Sequence, residues 1–187
     1  KKDKKTKYTH TGMGAGTRGS FAVSDNNYNE LLEEYYNHVF INKKTCSLIE
    51  QHIHDRKVTP IRIDLDFKAT IPEPHDFTGE YSPRLYKNDE IINVCKIYLH
   101  WIKQWLTDLT SEDCHCYIME KASSKWSEKG EDIIEVKDGV HIMFPNISVP
   151  KFLQIEIRNK AYKTADEKEI FEQELDNSYS DIFDLSI

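Results

Sequence analysis

The chain has 187 residues, of which 39% are hydrophobic and 11% aromatic, and its formal net charge is −7. This length and composition predict one globular domain with its own core and exclude a wholly disordered chain. No apolar run reaches the roughly 20 residues of a membrane-spanning helix, and Lys1–Lys7 leads into no apolar signal-peptide core. We therefore expect a cytoplasmic protein with no membrane partner.

The first elements predicted are a glycine-dense loop over residues 9–20 and an amphipathic helix over Asn29–Phe40. The spacing of Gly14, Gly16 and Gly19 satisfies a dinucleotide-binding pattern. In that pattern a helix opens directly after the glycines. Here Ser20-Phe-Ala-Val follows instead, so we interpret the glycines as a surface loop.

A strand is predicted over residues 58–67, because apolar and polar residues alternate there. The residues expected on its two faces are Ile61, Ile63, Leu65 and Phe67 on one, and Arg62, Asp64 and Asp66 on the other. Two carboxylates on one strand face can share a divalent cation or bridge two, and such hard oxygen ligands favour magnesium or manganese. The same alternation is typical of any half-exposed strand, so the pair alone decides little.

The next elements combine helices and strands. Apolar residues at three- and four-residue intervals predict a helix over Asp89–Leu109 that covers the sheet. The other predicted elements are a strand over Cys116–Glu120, a polar loop over 123–132, a hairpin of Ile133–Val136 and Val140–Phe144 turning at Asp138-Gly139, a helix from about Pro150, a second over about Ala165–Leu175, and a final strand over 181–187.

Two further segments carry candidate binding residues. In Lys137-Asp-Gly-Val-His141, lysine offers a charge for phosphate, Gly139 permits close backbone approach, and His141 offers a hydrogen-bond donor. An ordinary hairpin with a satisfied histidine is the alternative. Asp184, on an apolar strand near the end of the chain, is a candidate third metal ligand, with Asp181 as the competing choice.

Basic residues and cysteines give weaker signals. Lys121, Lys125 and Lys129 would allow a positive groove on an acidic body, although solvated lysines are an equally good interpretation. Cys114-His115-Cys116, together with Cys95 or His100, has residue types that bind zinc. Adjacent residues on a strand point to opposite faces, so we favour ordinary cysteines over a zinc site.

The order of these segments resembles the three-motif signature of archaeo-eukaryotic primases and primase-polymerases. Asp64 and Asp66 match the first motif, Gly139 and His141 match the second, and Asp184 matches the third. The closer resemblance is to the primase portion of the primase-helicases of large DNA viruses such as African swine fever virus, poxviruses, iridoviruses and mimiviruses. It rests on Thr9-His-Thr11 with its glycine-rich loop, Lys137–Pro145 and Phe183-Asp184-Leu, and it covers nearly the whole chain.

This resemblance implies an α+β archaeo-eukaryotic primase core with an RRM-like half and a mixed or antiparallel sheet flanked by helices. It also implies primer synthesis on single-stranded DNA from nucleoside triphosphates during viral DNA replication. The residue roles implied are Mg²⁺ or Mn²⁺ binding by Asp64, Asp66 and Asp184, which are also the catalytic residues, and nucleotide binding by Lys137, Gly139 and His141. A C-terminal helicase module is expected in the same polypeptide.

Two features depart from the family pattern. Gly139 stands where the second motif usually has serine, and the chain ends before the basic residues expected after the third motif. We therefore expect the catalytic domain, residues 1–187, to continue beyond this sequence.

Two other functions use the same residue types as this predicted site. One is a non-catalytic single-stranded nucleic-acid-binding module of a replicative helicase, and the other is a metal-dependent nuclease.

Overall fold

The computed structural model describes residues 8–14, 18–50, 58–72, 84–130 and 132–184. The chain divides into two compact units, residues 1–56 and 57–187. The sequence predicts one catalytic domain over residues 1–187, and both units lie within that range. No helix in the described ranges is both long and apolar enough to cross a membrane.

The first unit contains a small antiparallel sheet and a helix. Its elements are β1 (His10–Gly12), β2 (Gly19–Phe21), α1 (Tyr28–Tyr36) and β3 (Leu48–Glu50), in the sheet order β2-β1-β3. The predicted helix is confirmed, and it continues through a π-helical turn over Asn37–Ile41. The prediction of a loop over the whole of residues 9–20 is wrong, because β1 pairs with both β2 and the distant β3. Residues 15–17 of that segment lie outside the described residues.

The second unit is built on an antiparallel sheet with helices against it. Its elements are β4 (Thr59–Pro72), α2 (Asn88–Trp105), β5 (Tyr117–Glu120), β6 (Lys125–Gly130), β7 (Ile133–Val149), α3 (Lys151–Glu167), α4 (Tyr179–Ile182) and β8 (Phe183–Asp184). The described strands follow the order β5-β7-β4-β8, and β6 pairs with the same edge of β7 as β5 does. The α+β class with antiparallel sheets flanked by helices is therefore confirmed.

The two long strands β4 and β7 place a core on one face of the sheet and polar groups on the other. The predicted alternation in β4 is confirmed, and the same pattern holds for Val140, Ile142 and Phe144 in β7. These buried side chains form one cluster with apolar residues of α2 and α3. The helices of the second unit therefore cover the apolar face, and Asp64 and His141 lie on the opposite face of the sheet.

The predicted hairpin at Asp138-Gly139 is wrong, because β7 runs unbroken from Ile133 to Val149. The Asp138 carboxylate is buried and accepts hydrogen bonds from the backbone nitrogens of Gly139 and Leu85, at 2.8 and 3.4 Å. Gly139 itself pairs with Asp66 of β4. The Asp-Gly pair, a strong turn signal, is here held in a strand by these long-range contacts.

Smaller differences from the predictions occur elsewhere in the second unit. The strand predicted to end at Phe67 continues to Pro72, and the helix predicted to reach Leu109 ends at Trp105. The polar loop over 123–132 contains β6, and α3 ends at Glu167 with no second helix over residues 165–175. Of the final strand predicted over 181–187, residues 181 and 182 belong to the short helix α4, Phe183–Asp184 form β8, and residues 185–187 lie outside the described residues.

Candidate metal and nucleotide site

Strand register brings the three sequence-predicted carboxylates together on the face of the sheet opposite the helices. Asp64 of β4 lies opposite His141 of β7 on one side and opposite Asp184 of β8 on the other. Residues directly opposite each other on paired strands share a face. Asp66, two residues along β4, shares that face as well and lies opposite Gly139.

The three carboxylates are close enough to bind one cation. One oxygen from each of Asp64, Asp66 and Asp184 lies within 4.8 Å of the other two. The Asp64 Oδ1 atom is buried and accepts no hydrogen bond from the described residues. His141 Nε2 lies 3.1 Å from this oxygen, but the contact lacks the geometry of a hydrogen bond. A buried carboxylate oxygen of this kind is suited to a metal ion, because a bound cation would replace the hydrogen bonds that it lacks.

The electrostatics of the cluster lead to the same conclusion. Burial raises the pKa of the Asp64 carboxyl, and the neighbouring carboxylates of Asp66 and Asp184 raise it further. His141 and Lys121 oppose that shift. A divalent cation would offset this repulsion, and a set of carboxylate oxygens suits Mg²⁺ or Mn²⁺. The residues present therefore fit the metal that the sequence predicts.

The described residues do not support the alternative of a zinc site. Cys116 Sγ lies 3.9 Å from Cys95 Sγ, so two of the candidate ligands are neighbours. Within the described part of the chain, however, Asp64, Asp66 and Asp184 form a cluster of three metal-binding side chains, and these cysteines belong to no such cluster. Burial and the nearby Cys116 raise the pKa of the Cys95 thiol to about 12, so this thiol is protonated at neutral pH in the metal-free protein.

Lysines lie next to the carboxylates along the strand direction. Lys68 and Lys137 lie opposite each other on β4 and β7. Lys68 follows Asp66 by two residues, and Lys137 precedes Gly139 by two residues. Together with Lys121 and Lys125 they line a cavity of about 340 Å³ that also includes Asp66. Of the predicted nucleotide-binding residues, Lys137 therefore lines this cavity, Gly139 lies opposite Asp66, and His141 adjoins Asp64.

Comparison with known proteins identifies the family. A family model described as "C962R protein N-terminal AEP domain", where AEP denotes archaeo-eukaryotic primase, matches residues 9–187. The chain belongs to this family. The predicted relationship to archaeo-eukaryotic primases of large DNA viruses is therefore confirmed, and the AEP domain accounts for nearly all of the chain.

Two curated viral proteins are similar to this AEP domain. "Putative helicase 184R" of Invertebrate iridescent virus 6 is 28% identical over 149 residues, which are 77% of this chain and 14% of that protein. "Putative helicase L207/L206" of Acanthamoeba polyphaga mimivirus is 29% identical over 180 residues, which are 96% of this chain and 17% of that protein. The AEP domain thus spans less than a fifth of the length of the curated relatives that it matches.

Two residues that sequence analysis missed hold the strands that carry the aspartates. The Arg158 side chain of α3 is buried, and its Nε donates to the backbone carbonyl of Phe183 at 2.7 Å. The Asn177 side chain bonds the edge of β4: Nδ2 donates to Asp66 O at 2.7 Å, and Oδ1 accepts from Lys68 N at 3.1 Å. No local sequence pattern predicts the role of either residue, because each contacts a segment that is distant in the sequence.

Glu135 organises part of the basic cluster in this AEP domain. Its carboxylate lies 2.8 Å from Lys68 Nζ, 2.9 Å from Lys129 Nζ and 3.2 Å from Lys137 Nζ. Hydrogen bonds from these lysines lower the pKa of Glu135 from 4.5 to about 2. Glu135 therefore stabilises the fold above pH 4.5, and this contribution is lost as the pH falls from about 4.5 to about 2.

We expect Glu135→Gln to lower the free energy of unfolding at neutral pH, because three lysines then lack their shared carboxylate. The difference in the free energy of unfolding between Glu135→Gln and the unmodified chain should become smaller as the pH falls below 4.5, because Glu135 is then increasingly protonated. Urea denaturation from pH 7 to pH 3 measures both effects. Glu128→Gln, at an exposed position of β6, is the matched control. A difference that stays constant with pH would contradict the prediction.

Proposed function

We propose that the chain is the catalytic domain of a DNA primase that synthesises primers on a single-stranded DNA template. The observation that carries this proposal is the cluster of Asp64, Asp66 and Asp184, in which one oxygen from each lies within 4.8 Å of the others. The buried Asp64 Oδ1, which accepts no hydrogen bond from described residues, supports a role in binding cations. Membership of the archaeo-eukaryotic primase family supports nucleotidyl transfer as the reaction.

The proposed reaction joins two nucleotides. A 3′-hydroxyl oxygen forms a bond to the α-phosphorus of a nucleoside triphosphate, and the bond from this phosphorus to the bridging oxygen breaks. Pyrophosphate leaves with the electron pair, and the hydroxyl proton passes to solvent. Asp64, Asp66 and Asp184 would hold the Mg²⁺ or Mn²⁺ ions, which when bound supply positive charge for the triphosphate and for the attacking oxygen.

The other predicted residues bind and orient the triphosphate. The His141 side chain is 58% exposed and adjoins Asp64, so its ring N–H is available to donate to a phosphate oxygen. Gly139 has no side chain and lies opposite Asp66, so a phosphate group is able to approach the strand closely. Lys137, whose Nζ lies 3.2 Å from Glu135 Oε1, adds positive charge to the cavity beside the cluster.

The proposed setting of the domain is based on the similar viral proteins. Both curated relatives are named putative helicases, and this chain matches 14% and 17% of their lengths. We infer that a helicase module follows in the same polypeptide, and that priming and unwinding serve viral DNA replication together. The partners are then a single-stranded template and nucleoside triphosphates.

Primer synthesis tests the proposal directly. The chain is incubated with single-stranded DNA, labelled nucleoside triphosphates and Mn²⁺ or Mg²⁺, and the products are resolved by length. We expect labelled oligonucleotides that disappear with chelator and in the Asp66→Ala variant. Tight binding of DNA without synthesis under either ion would instead favour a silent binding module. Degradation of labelled DNA in the absence of nucleoside triphosphates would indicate a nuclease.

A further inference from the structure

The lysine cavity beside the aspartates has a composition suited to a polyanion. Its volume is about 340 Å³, and four lysines outnumber two carboxylates in its lining. The described lining residues are Lys68, Lys121, Lys125, Lys137, Asp66, Asp138, Phe67 and Asn177. Lysine ammonium groups recognise phosphate as compact positive charges. The four lysines are not equivalent, however, because they differ in the acidic groups that already neutralise them.

Two of the lysines share one carboxylate. Lys68 Nζ and Lys137 Nζ lie 2.8 and 3.2 Å from the oxygens of Glu135. Lys121 Nζ instead lies 3.7 Å from Asp66 Oδ1, and no other described acidic group is within ion-pair distance of it. Asp66 belongs to the carboxylate cluster, so a cation bound there would take up its charge. Lys121 would then have a positive charge available for an anionic ligand at the same position.

Gly139 provides the space that Lys121 occupies. A Cβ atom at Gly139 would lie 2.7 Å from Lys121 Nζ and 2.9 Å from the backbone oxygen of Leu65. Ordinary van der Waals contact requires more than 3.4 Å, so any side chain at this position would displace the ammonium group or the strand. The absence of a side chain at Gly139 is therefore coupled to the placement of Lys121 beside Asp66.

An ion pair between the partly exposed Arg84 and the buried Asp138 lies next to the backbone of Lys121. Arg84 Nη2 donates to the carbonyl oxygen of Lys121 at 2.5 Å, and Nη1 donates to Asp138 Oδ1 at 3.1 Å. The Asp138 side chain is fully buried and accepts from Gly139 N at 2.8 Å. Asp138 and Arg84 thus connect the backbone of Gly139 to that of Lys121. This arrangement holds the lysine against the metal-binding face.

We propose that Lys121 is a phosphate ligand that binds the β- and γ-phosphates of the incoming nucleoside triphosphate, and that Arg84 and Asp138 are its positioning residues. The inference rests on the proposed nucleotidyl transfer and adds to it the residue that stabilises the leaving pyrophosphate. Lys121 Nζ is close enough to Asp66 to contact a phosphate oxygen held at that carboxylate's cation. The charge that develops on pyrophosphate as the bond to the α-phosphorus breaks would face this ammonium.

Isothermal titration with inorganic tripolyphosphate and Mn²⁺ tests the ligand separately from catalysis. We expect Lys121→Met to weaken tripolyphosphate binding by about tenfold to a hundredfold, the range for a hydrogen bond to a charged group. Single-stranded DNA affinity should change by less than about twofold, because the lysine contacts the nucleotide and not the template. Lys103→Met, an exposed lysine on α2 outside the cavity, is the control and should bind both ligands normally.

The outcomes separate the inference from the function on which it rests. If the unmodified chain binds tripolyphosphate and Lys121→Met binds it equally well, the assignment of Lys121 is wrong and the primase proposal stands. Equal losses for tripolyphosphate and DNA would assign Lys121 to the template backbone instead. If the unmodified chain shows no cation-dependent tripolyphosphate binding, both proposals fail.

The positioning role has its own readout. Arg84→Gln leaves Lys121 in the chain but removes the contacts that hold its backbone, so it should weaken tripolyphosphate binding as Lys121→Met does. The double variant should then bind no more weakly than Lys121→Met alone, because both changes remove the same interaction. Additive losses would show that Arg84 acts independently of Lys121 and would overturn this part of the inference.

Discussion

Asp64→Asn is expected to lower primer synthesis strongly and to make the metal-free protein more stable. Burial and the carboxylates of Asp66 and Asp184 raise the pKa of Asp64, so its ionised form is disfavoured in the folded state. At neutral pH the ionised Asp64 carboxylate therefore lowers the free energy of unfolding, and this destabilisation disappears when the pH falls below the raised pKa. An amide has nearly the same shape and no charge, so it should remove this destabilisation at every pH. It should also remove a metal ligand.

Thermal unfolding with and without Mn²⁺ measures both consequences. In the unmodified chain Mn²⁺ should raise Tm, because a ligand that binds only the folded state stabilises it. Asp64→Asn should begin at a higher Tm and gain little from Mn²⁺, and primer synthesis should fall by about 10³-fold, equivalent to several kcal/mol of lost charge stabilisation. Asp108→Asn makes the same change at an exposed position outside the cluster and should behave as unmodified. Retained synthesis in a folded Asp64→Asn protein would refute the proposed mechanism.

The features that sequence analysis predicted correctly are local or periodic. Strand β4 has apolar and polar residues in alternation around Asp64, and helix α2 has apolar residues at three- and four-residue intervals. Both patterns are local, so both elements could be predicted without knowing what they contact. The convergence of Asp64, Asp66 and Asp184 followed from motif order, since no local pattern indicates that β8 pairs with β4. The family resemblance supplied that long-range information.

The features that were missed depend on partners far away in the sequence. Asp138-Gly139 has the composition of a turn, yet Asp138 is satisfied by Arg84 and by the backbone of Leu85, more than 50 positions earlier. The polar sequence of β6 forms a strand because the long β7 offers it an edge. Such tertiary contacts override local propensity, and they also set the position of Lys121 beside Asp66.

Arg158→Met is expected to lower both the stability of the protein and its affinity for divalent cations. The buried guanidinium donates to the carbonyl oxygens of Ser180 and Phe183 and stacks on the ring of Tyr162, 4.8 Å from its centroid. Removing it leaves these carbonyls without their charged donor, at a cost of about 3 kcal/mol. Phe183, whose carbonyl oxygen accepts from Arg158, directly precedes Asp184 in β8, so the same side chain helps to hold Asp184 opposite Asp64.

The positioning effect is distinguishable from the loss of stability. A residue that orients a metal ligand typically changes metal affinity by about tenfold to a hundredfold. Mn²⁺ titration should therefore show such a loss in Arg158→Met at a temperature where the variant remains folded. Lys163→Met, an exposed change on the same helix, should leave both quantities unaltered. If Arg158→Met unfolds more easily but binds Mn²⁺ normally, then Arg158 stabilises the fold without setting the position of Asp184, and pairing with β4 alone fixes the third ligand.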